Sequence, residues 1–265
     1  MAKQPFAYSL LYNTSQKVVA YWDQFKPKTN VDQSYKEKWL AQASLFDLVS
    51  LQSRVCVTLW DVVSNRFVYA VDATGVLGDN ANHFMKEDGI DYTIAHFPEQ
   101  YLDGTLKCQA KIGEYCMAHP EHNPFYVIGN FDSLYHTNRR DIHFLQQVSV
   151  VECSSDGSPL LFLSYLYDIT HLKKEPALSI VVNSPDESQI WKYNFNSKKL
   201  SLLELTAKEK EVLAHLALGK QSKEIATIMN ISPNTADTHR RKLLSKLCCV
   251  DTTALISYCR MVGLI

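Results

Sequence analysis

The reading turns on residues 205–247, LTAKEKEVLAHLALGKQSKEIATIMNISPNTADTHRRKLLSKL. Thr206-x-x-Glu209 opens this stretch as a capping box, in which the Thr hydroxyl and the Glu carboxylate satisfy orphan backbone donors at a helix start. Val212, Leu213, Leu216 and Ala217 give that helix its apolar positions, and Gly219 is a natural C-terminal cap. Ser222 is placed to cap a second helix carrying Ile225, Ala226, Ile228 and Met229. After a short turn at Asn230-Ile231, Ser232-Pro233 opens a third helix, with Ser as N-cap and Pro at the first helical position. Asp251 or Thr252 begins a fourth helix, and Gly263 ends it.

Helix, tight turn, helix is the geometry that lays a second helix in the major groove of DNA. Along the third helix, Ala236, Leu243 and Leu247 fall within about 40° of each other at 3.6 residues per turn. Asn234, Thr238, Arg241 and Ser245 point the opposite way, flanked by Asp237 and Lys242. A solvated helix in a small bundle explains the apolar stripe equally well. It explains less well why Arg240, Arg241, Lys242 and Lys246 cluster on a helix whose only acid is Asp237.

Leu205-Thr206-x-x-Glu209-x-Glu211-Val212-Leu213, Gly219, Ser222-Lys223-Glu224-Ile225-Ala226, Ile231-Ser232, Thr235 to His239, Lys246-Leu247 and Gly263-Leu264-Ile265 resemble a LuxR-type helix-turn-helix domain along its whole length. The resemblance implies an all-α four-helix fold that binds double-stranded DNA, with positions 237, 238 and 241 facing base edges. It also implies that the fourth helix, with Leu255, Tyr258, Cys259 and Val262 on one side, serves dimerisation; packing onto the first helix is the plainer alternative, and both can hold. By their chemistry, Arg241 suits guanine and Thr238 a thymine methyl. Lys223, Arg240, Lys242 and Lys246 suit phosphates, which position without specifying. Thr235 and the amides near Asn234 suit a phosphate at the helix start. This chain departs from the family at Ala236, where Val is usual, and at Asp237, where Lys is frequent. An acid there repels phosphate but accepts a hydrogen bond from cytosine, so an altered target and a weaker one are both open.

Working outward, the chain of 265 residues suits about two domains. It is 46% hydrophobic, 21% charged and 11% aromatic, an ordinary globular profile. The 27 basic and 28 acidic residues nearly cancel, but from Thr206 onward nine Lys/Arg stand against five Asp/Glu. A basic tail on an acidic body fits a polyanion-binding module joined to something else.

The front part reads as a helix over 31–51, a hairpin of 55–61 and 66–71 about Ser64-Asn65, then mostly helix from Gly78 to His119 with breaks at Pro98 and Gly104. Strands follow at 125–128, 148–153 and 160–167, the last two joined by the turn Asp156-Gly157-Ser158-Pro159. This is an α+β pattern with an antiparallel sheet. That turn, the apolar strand after it and Asp168-Ile169-Thr170 resemble the end of a PAS sensor domain, a match specific over the last twenty or so residues. The expected organisation is a PAS-like domain at 1–172 with an N-terminal helical extension, a linker with some strand at 173–204, in which 190–195 alternate as a half-buried strand does, and the helix-turn-helix domain at 205–265.

Seven cysteines without a Cys-x-x-Cys pair point to reduced, mostly structural thiols. Cys108, Cys116, His119 and His122 lie close in sequence, but Pro120 ends the shared helix face, so no metal is expected there. Cys248-Cys249 are expected to be structural as well. No nucleotide-binding, nucleophile-elbow or zinc-protease motif occurs, and nothing argues for catalysis. No apolar run approaches the roughly 20 residues of a membrane span, and the N-terminus is too polar for a signal peptide, so a cytoplasmic location is expected. The expected protein is a bacterial one-component transcription regulator that binds DNA, forms homodimers and holds a possible small molecule of unknown identity in its PAS-like domain. The alternative is the same DNA-binding output with a front domain that serves only protein interaction. Its aromatic residues do not decide this, because aromatics fill any core.

Overall fold

The computed structural model describes residues 16, 19–20, 22–28, 31–73, 75–77, 81–124, 127–137, 140–175 and 177–265. Helices α1 (Ser34–Leu40) and α2 (Ala43–Ser53) precede the hairpin β1 (Cys56–Asp61) and β2 (Arg66–Val71). Asn65 takes the left-handed conformation that this short turn needs, φ 51°. Helices α3 (Ala81–Phe84), α4 (Gly89–Ala95) and α5 (Glu99–Ala118) follow. Then come strands β3 (Ile128–His136), β4 (Asp141–Cys153), β5 (Pro159–Asp168), β6 (Ser179–Asn183), β7 (Ser188–Asn194) and β8 (Lys199–Leu202). The C-terminal helices are α6 (Ala207–Ala217), α7 (Ser222–Met229), α8 (Pro233–Lys246) and α9 (Thr252–Met261).

All eight strands form one sheet in the order β2-β1-β5-β4-β3-β6-β7-β8, and every neighbouring pair is antiparallel. Three sequence expectations change here. Residues 173–204, read as a linker with some strand, supply three strands that extend the sheet. The helix read over 31–51 is two helices. Gly104 does not break α5; it is where the helix presses on the sheet. A Cβ there would lie 2.2 Å from Leu178 Cδ2 and 2.8 Å from the Tyr193 ring, so only glycine permits this approach. The Phe125-Tyr126 start of the expected strand lies outside the described residues.

Successive strand residues face opposite sides, and this alternation builds three layers. On one side, Phe131, Phe144, Val148 and Phe162 pack with Phe84, Ile94, Tyr101 and Ile112 of the helices between β2 and β3. On the other side at the β1 end, Val57, Leu59 and Leu161 are covered by Tyr35 and Phe46 of α1 and α2. Farther along that second side, Leu145, Val181 and Ile190 share one core with Leu213, Leu243, Leu255 and Tyr258 of the C-terminal helices. The helix-turn-helix segment is therefore packed onto the sheet.

Candidate nucleic-acid interface, cavity and the wall between them

The C-terminal helices form for the local reasons their sequence gives. Glu209 N donates to Thr206 Oγ1 at 3.2 Å, and Thr206 N donates back to Glu209 Oε2 at 2.8 Å, completing the capping box. Ser232 accepts from Thr235 N at 3.1 Å, with Pro233 as the first helical residue. Asp251 caps α9 by accepting from Ala254 N at 2.8 Å. Gly219 and Gly263 take positive φ, 76° and 70°, just past α6 and α9. Ser222 differs from expectation. Gln221 is the N-cap of α7, boxed with Glu224, while Ser222 is the first helical residue and donates to Asp237 Oδ1 at 2.6 Å.

On α8 the two faces separate as the spacing predicts. Ala236, Leu243 and Leu247 are buried, whereas Asn234, Thr235, Thr238, Arg241 and Lys242 are exposed, as is Lys223 on α7. Thr238 Oγ1 donates to Asn234 O at 2.8 Å, which holds its side chain against the helix. The Thr235 amide donates to Ser232 Oγ at 3.1 Å, and its hydroxyl lies 2.8 Å from the same oxygen. Lys246, read as a phosphate contact, turns inward. Its ammonium lies 2.6 Å from Glu209 Oε2 and 2.9 Å from Glu204 O, tying the end of α8 to the start of α6.

Asp237 is held by the protein itself. Its carboxylate accepts from Ser222 and pairs with Arg240 Nη2 at 2.9 Å. The Ser222 hydrogen bond first, then Arg240 and Arg241, keep its carboxyl below the ordinary 3.8, so it is ionised at neutral pH. It thus offsets the Arg240 charge expected at phosphates. Asp237→Asn is expected to tighten binding to DNA of any sequence by several-fold and to steepen its salt dependence by about 0.9 in slope, one more phosphate neutralised. Fluorescence anisotropy across a salt series measures both quantities; an unchanged slope would show that Arg240 does not reach phosphate.

The fourth-helix face expected to serve dimerisation is occupied within the chain. Leu255, Tyr258, Cys259 and Val262 are each at most 1% exposed. Val262 O accepts from Asn183 Nδ2 at 2.7 Å and Met261 O from Gln147 Nε2 at 2.5 Å, so the sheet caps the C-terminal carbonyls of α9. The backbone also pairs across the junction: Lys174 N donates to Cys248 O at 2.9 Å, and Val250 N to Leu172 O at 3.0 Å. Cys248 and Cys249, expected to be structural, are buried in this junction.

Beneath α9 lies a polar cluster that the sequence did not announce. Asp132 on β3 contacts both Lys173 Nζ and His143 Nε2, and these three side chains are 0%, 2% and 4% exposed. The Lys173 ammonium also donates to Leu247 O at 3.1 Å and lies 3.4 Å from the centre of the Tyr258 ring. Burial alone pushes the Asp132 carboxyl up; the Lys173 and His143 charges outweigh it and hold it well below 3.8. Burial, then Asp132, push the Tyr258 phenol well above 10.0.

The opposite side of the same sheet lines a cavity of about 100 Å³. Its walls include Trp22, Trp60, Phe97, Phe131 and Phe162, with Thr105 and Gln109 from α5 and Gln146 and Ser164 from the sheet. Among the described residues, no charged side chain lines it. Trp60 Nε1 and Thr105 Oγ1 are buried at this cavity without a hydrogen-bond partner. Strand alternation makes the sheet a common wall. Phe131, Gln146 and Val148 face the cavity, whereas Asn130, Asp132 and Gln147 of the same two strands reach the C-terminal helices.

Residues 203–259 match the family model "Bacterial regulatory proteins, luxR family", so the C-terminal segment carries a LuxR-family helix-turn-helix domain. Several transcriptional regulatory proteins are similar over a short stretch. The transcriptional regulatory protein MctR of Rhizobium johnstonii is 41% identical over 54 residues, 20% of this chain and 25% of MctR. The uncharacterized transcriptional regulatory protein YhcZ of Bacillus subtilis is 42% identical over 62 residues, 23% of this chain and 29% of YhcZ. The CsgBAC operon transcriptional regulatory protein of Escherichia coli is 38% identical over 66 residues, 25% of this chain and 30% of that relative. The chain thus aligns with under a third of these relatives' length. Among solved structures, VqmA bound to DPO aligns over 85% of this chain and 90% of its own, at 20% identity and a TM-score of 0.32. A Vibrio cholera VqmA-ligand-DNA complex aligns over 90% and 88%, at 18% identity and a TM-score of 0.31. Among the described residues, no helix is long and apolar enough to cross a membrane.

Proposed function

We propose that this protein is a one-component transcription regulator whose PAS-like front domain holds a small neutral molecule and thereby sets how the helix-turn-helix domain is presented to DNA. The observation that carries this reading is the common wall: strands β3 and β4 face the cavity with one set of side chains and the DNA-binding domain with the alternate set. A molecule in the cavity and the docked helices therefore bias the same strands, which is what a shift between two populations requires. The PAS-like assignment is supported by the order of hairpin, helices and three further antiparallel strands, and by the Asp156-Gly157 turn and the Asp168-Ile169-Thr170 ending.

The lining indicates the ligand's character. With no charge to pair it, an ionised ligand would lose its hydration uncompensated, so the occupant is neutral. Aromatic walls favour a flat molecule, and the Trp60 indole N–H needs an acceptor atom. On the output side, Arg241 and Thr238 read base edges, while Lys223, Arg240 and Lys242 contact phosphates; Asn234 and Asp237 lie at the rim of that face. Two copies of the domain bind as a homodimer, which requires the α9 face either to leave the sheet or to play no part in the pairing.

Native mass spectrometry of freshly purified full-length protein, compared with the same sample denatured, tests the sensing role. A mass above the chain that disappears on denaturation is expected; a clean chain mass in every preparation would favour a front domain that serves only protein interaction. Trp60→Phe keeps an aromatic ring but removes the N–H and the indole's second ring. Because Trp60 Nε1 has no partner in the protein, folding loses packing but no hydrogen bond, while ligand affinity falls by at least about 2- to 12-fold, the worth of one hydrogen bond. Equal ligand retention by both proteins would remove Trp60 from the recognition set.

A further inference from the structure

We propose that His119, Glu121, His122 and Asp186 form a zinc site that ties the end of α5 to the turn between β6 and β7. The sequence places His119 and His122 near Cys108 and Cys116, but the structure divides that set. Both cysteines are fully buried in the core, and burial pushes the Cys116 thiol up to about 12. The histidines sit at the surface with a different company. His119 ends α5, Glu121 and His122 lie in the single 3₁₀ turn Pro120–His122, and Asp186 reaches in from the β6–β7 turn.

Two ligand-to-ligand distances match those around one ion. A tetrahedral zinc with ligand bonds near 2.05 Å sets its ligand atoms about 3.3–3.4 Å apart. His119 Nδ1 lies 3.3 Å from Glu121 Oε1, and His122 Nε2 lies 3.4 Å from Asp186 Oδ2. A third distance, from His122 Nε2 to Glu121 Oε1, is 4.0 Å, within reach of a small side-chain rotation. The ligand atoms of His119, Glu121 and His122 all fall within 4.8 Å of one another. Two imidazoles with two carboxylates make a donor set that suits zinc.

A second feature suits coordination. The Tyr115 hydroxyl lies 3.3 Å from His122 Nδ1. A hydrogen bond at that nitrogen, with Nδ1–H donating to the phenol oxygen, leaves the Nε2 lone pair facing the two carboxylates. Metal-bound histidines are held by such an outer partner, which fixes ring and tautomer. Two carboxylates converging on that lone pair repel it unless a cation or a proton stands between them. A zinc ion here would clamp α5, which lines the cavity through Thr105 and Gln109, to the hairpin whose Val181 and Ile190 carry the DNA-binding domain.

Titration of metal-free full-length protein with Zn²⁺ by calorimetry, and with Co²⁺ by visible absorption, tests the site. One ion per chain is expected, with the visible bands of a tetrahedral Co²⁺ and no near-ultraviolet thiolate band. His122→Ala should remove binding, Asp186→Ala should weaken it, and Tyr115→Phe should weaken it about 10-fold through the lost outer partner. Asp186 is exposed, whereas His122 and Tyr115 are partly buried, so circular dichroism checks that each variant keeps its fold; Glu121→Gln, at an exposed position, is the second ligand variant where it does not. Absence of stoichiometric binding, binding that survives both ligand variants, or a thiolate band placing the ion at cysteines would each overturn the proposal.

Discussion

Asp132→Ala is expected to destabilise the protein by about 3–5 kcal/mol, the cost of leaving a buried charge without its partner. The Lys173 ammonium would remain among Leu247 O, the Tyr258 ring and His143 with no anion to balance it. Replacing the ion pair together, Asp132→Leu with Lys173→Met, should recover most of the loss, because well-packed apolar residues avoid the desolvation cost altogether. Urea unfolding of Asp132→Ala measures the loss, and Asp132→Leu, Lys173→Met and their double variant together give the coupling. A single-variant cost below about 1 kcal/mol, the range of an exposed pair, would mean that water reaches the cluster. The pH dependence has a definite sign. The folded-state carboxyl sits below 3.8, so its contribution is complete above that value and is lost as pH falls through the folded value. The stability advantage of the natural protein over Asp132→Asn should therefore shrink only below about pH 4.

The second large effect is on DNA. Arg241→Ala should cost about 1–3 kcal/mol on a duplex selected from a randomised pool and relax the preference at one base pair. Lys223→Ala should weaken selected and random duplexes alike and flatten the salt slope by about 0.9, one phosphate contact. The contrast follows from position: Arg241 is exposed on the outer face of α8, and Lys223 near the start of α7 beside it. Anisotropy titrations on both duplexes separate the two effects, and equal losses on both duplexes for both variants would sink the division into reader and anchor. Lys246→Ala should behave differently again. Its ammonium is spent on Glu209 and Glu204 O, so its loss should lower stability more than DNA affinity.

The C-terminal helices were legible because their information is local. A capping box, an Ser-Pro start and two terminal glycines each act within a few residues, and the 3.6-residue period sorts Ala236 and Leu243 from Thr238 and Arg241 without tertiary context. Ser222 shows the limit of such reading. A serine before a helix looks like a cap, but Gln221 can form the box with Glu224, and the Ser hydroxyl then serves Asp237, fifteen residues away.

The front domain was legible as helix, hairpin and strands but not as an arrangement. Asn130 and Asp132 flank Phe131, and Lys192 sits between Trp191 and Tyr193, which is the pattern of a sheet face turned to water; Gln147 lies on the same face. Here that face is covered by α9 and the end of α8: the four side chains make or flank the junction. A docking domain uses polar residues as solvent does, so alternation alone does not distinguish the two. Within residues 173–204 the alternation of 190–195 showed one strand, but not that β6 joins β3 and carries β7 and β8 into the same sheet. The cavity was invisible for a different reason. Trp60 and Thr105 are unremarkable in a core, and only their lack of partners marks them.

Coupling between cavity and DNA-binding domain is tested most directly by amide hydrogen exchange at Lys174 and Val250, whose N–H groups bridge to Cys248 and Leu172 across the junction. The comparison is between the full-length protein as purified and the same protein stripped of bound molecules by unfolding, dialysis and refolding. Exchange at these two amides should differ between the two samples, while amides in the α6–α8 core stay the same. Identical exchange at the junction, in samples that differ by a bound mass, would contradict a sheet that carries the signal from one face to the other.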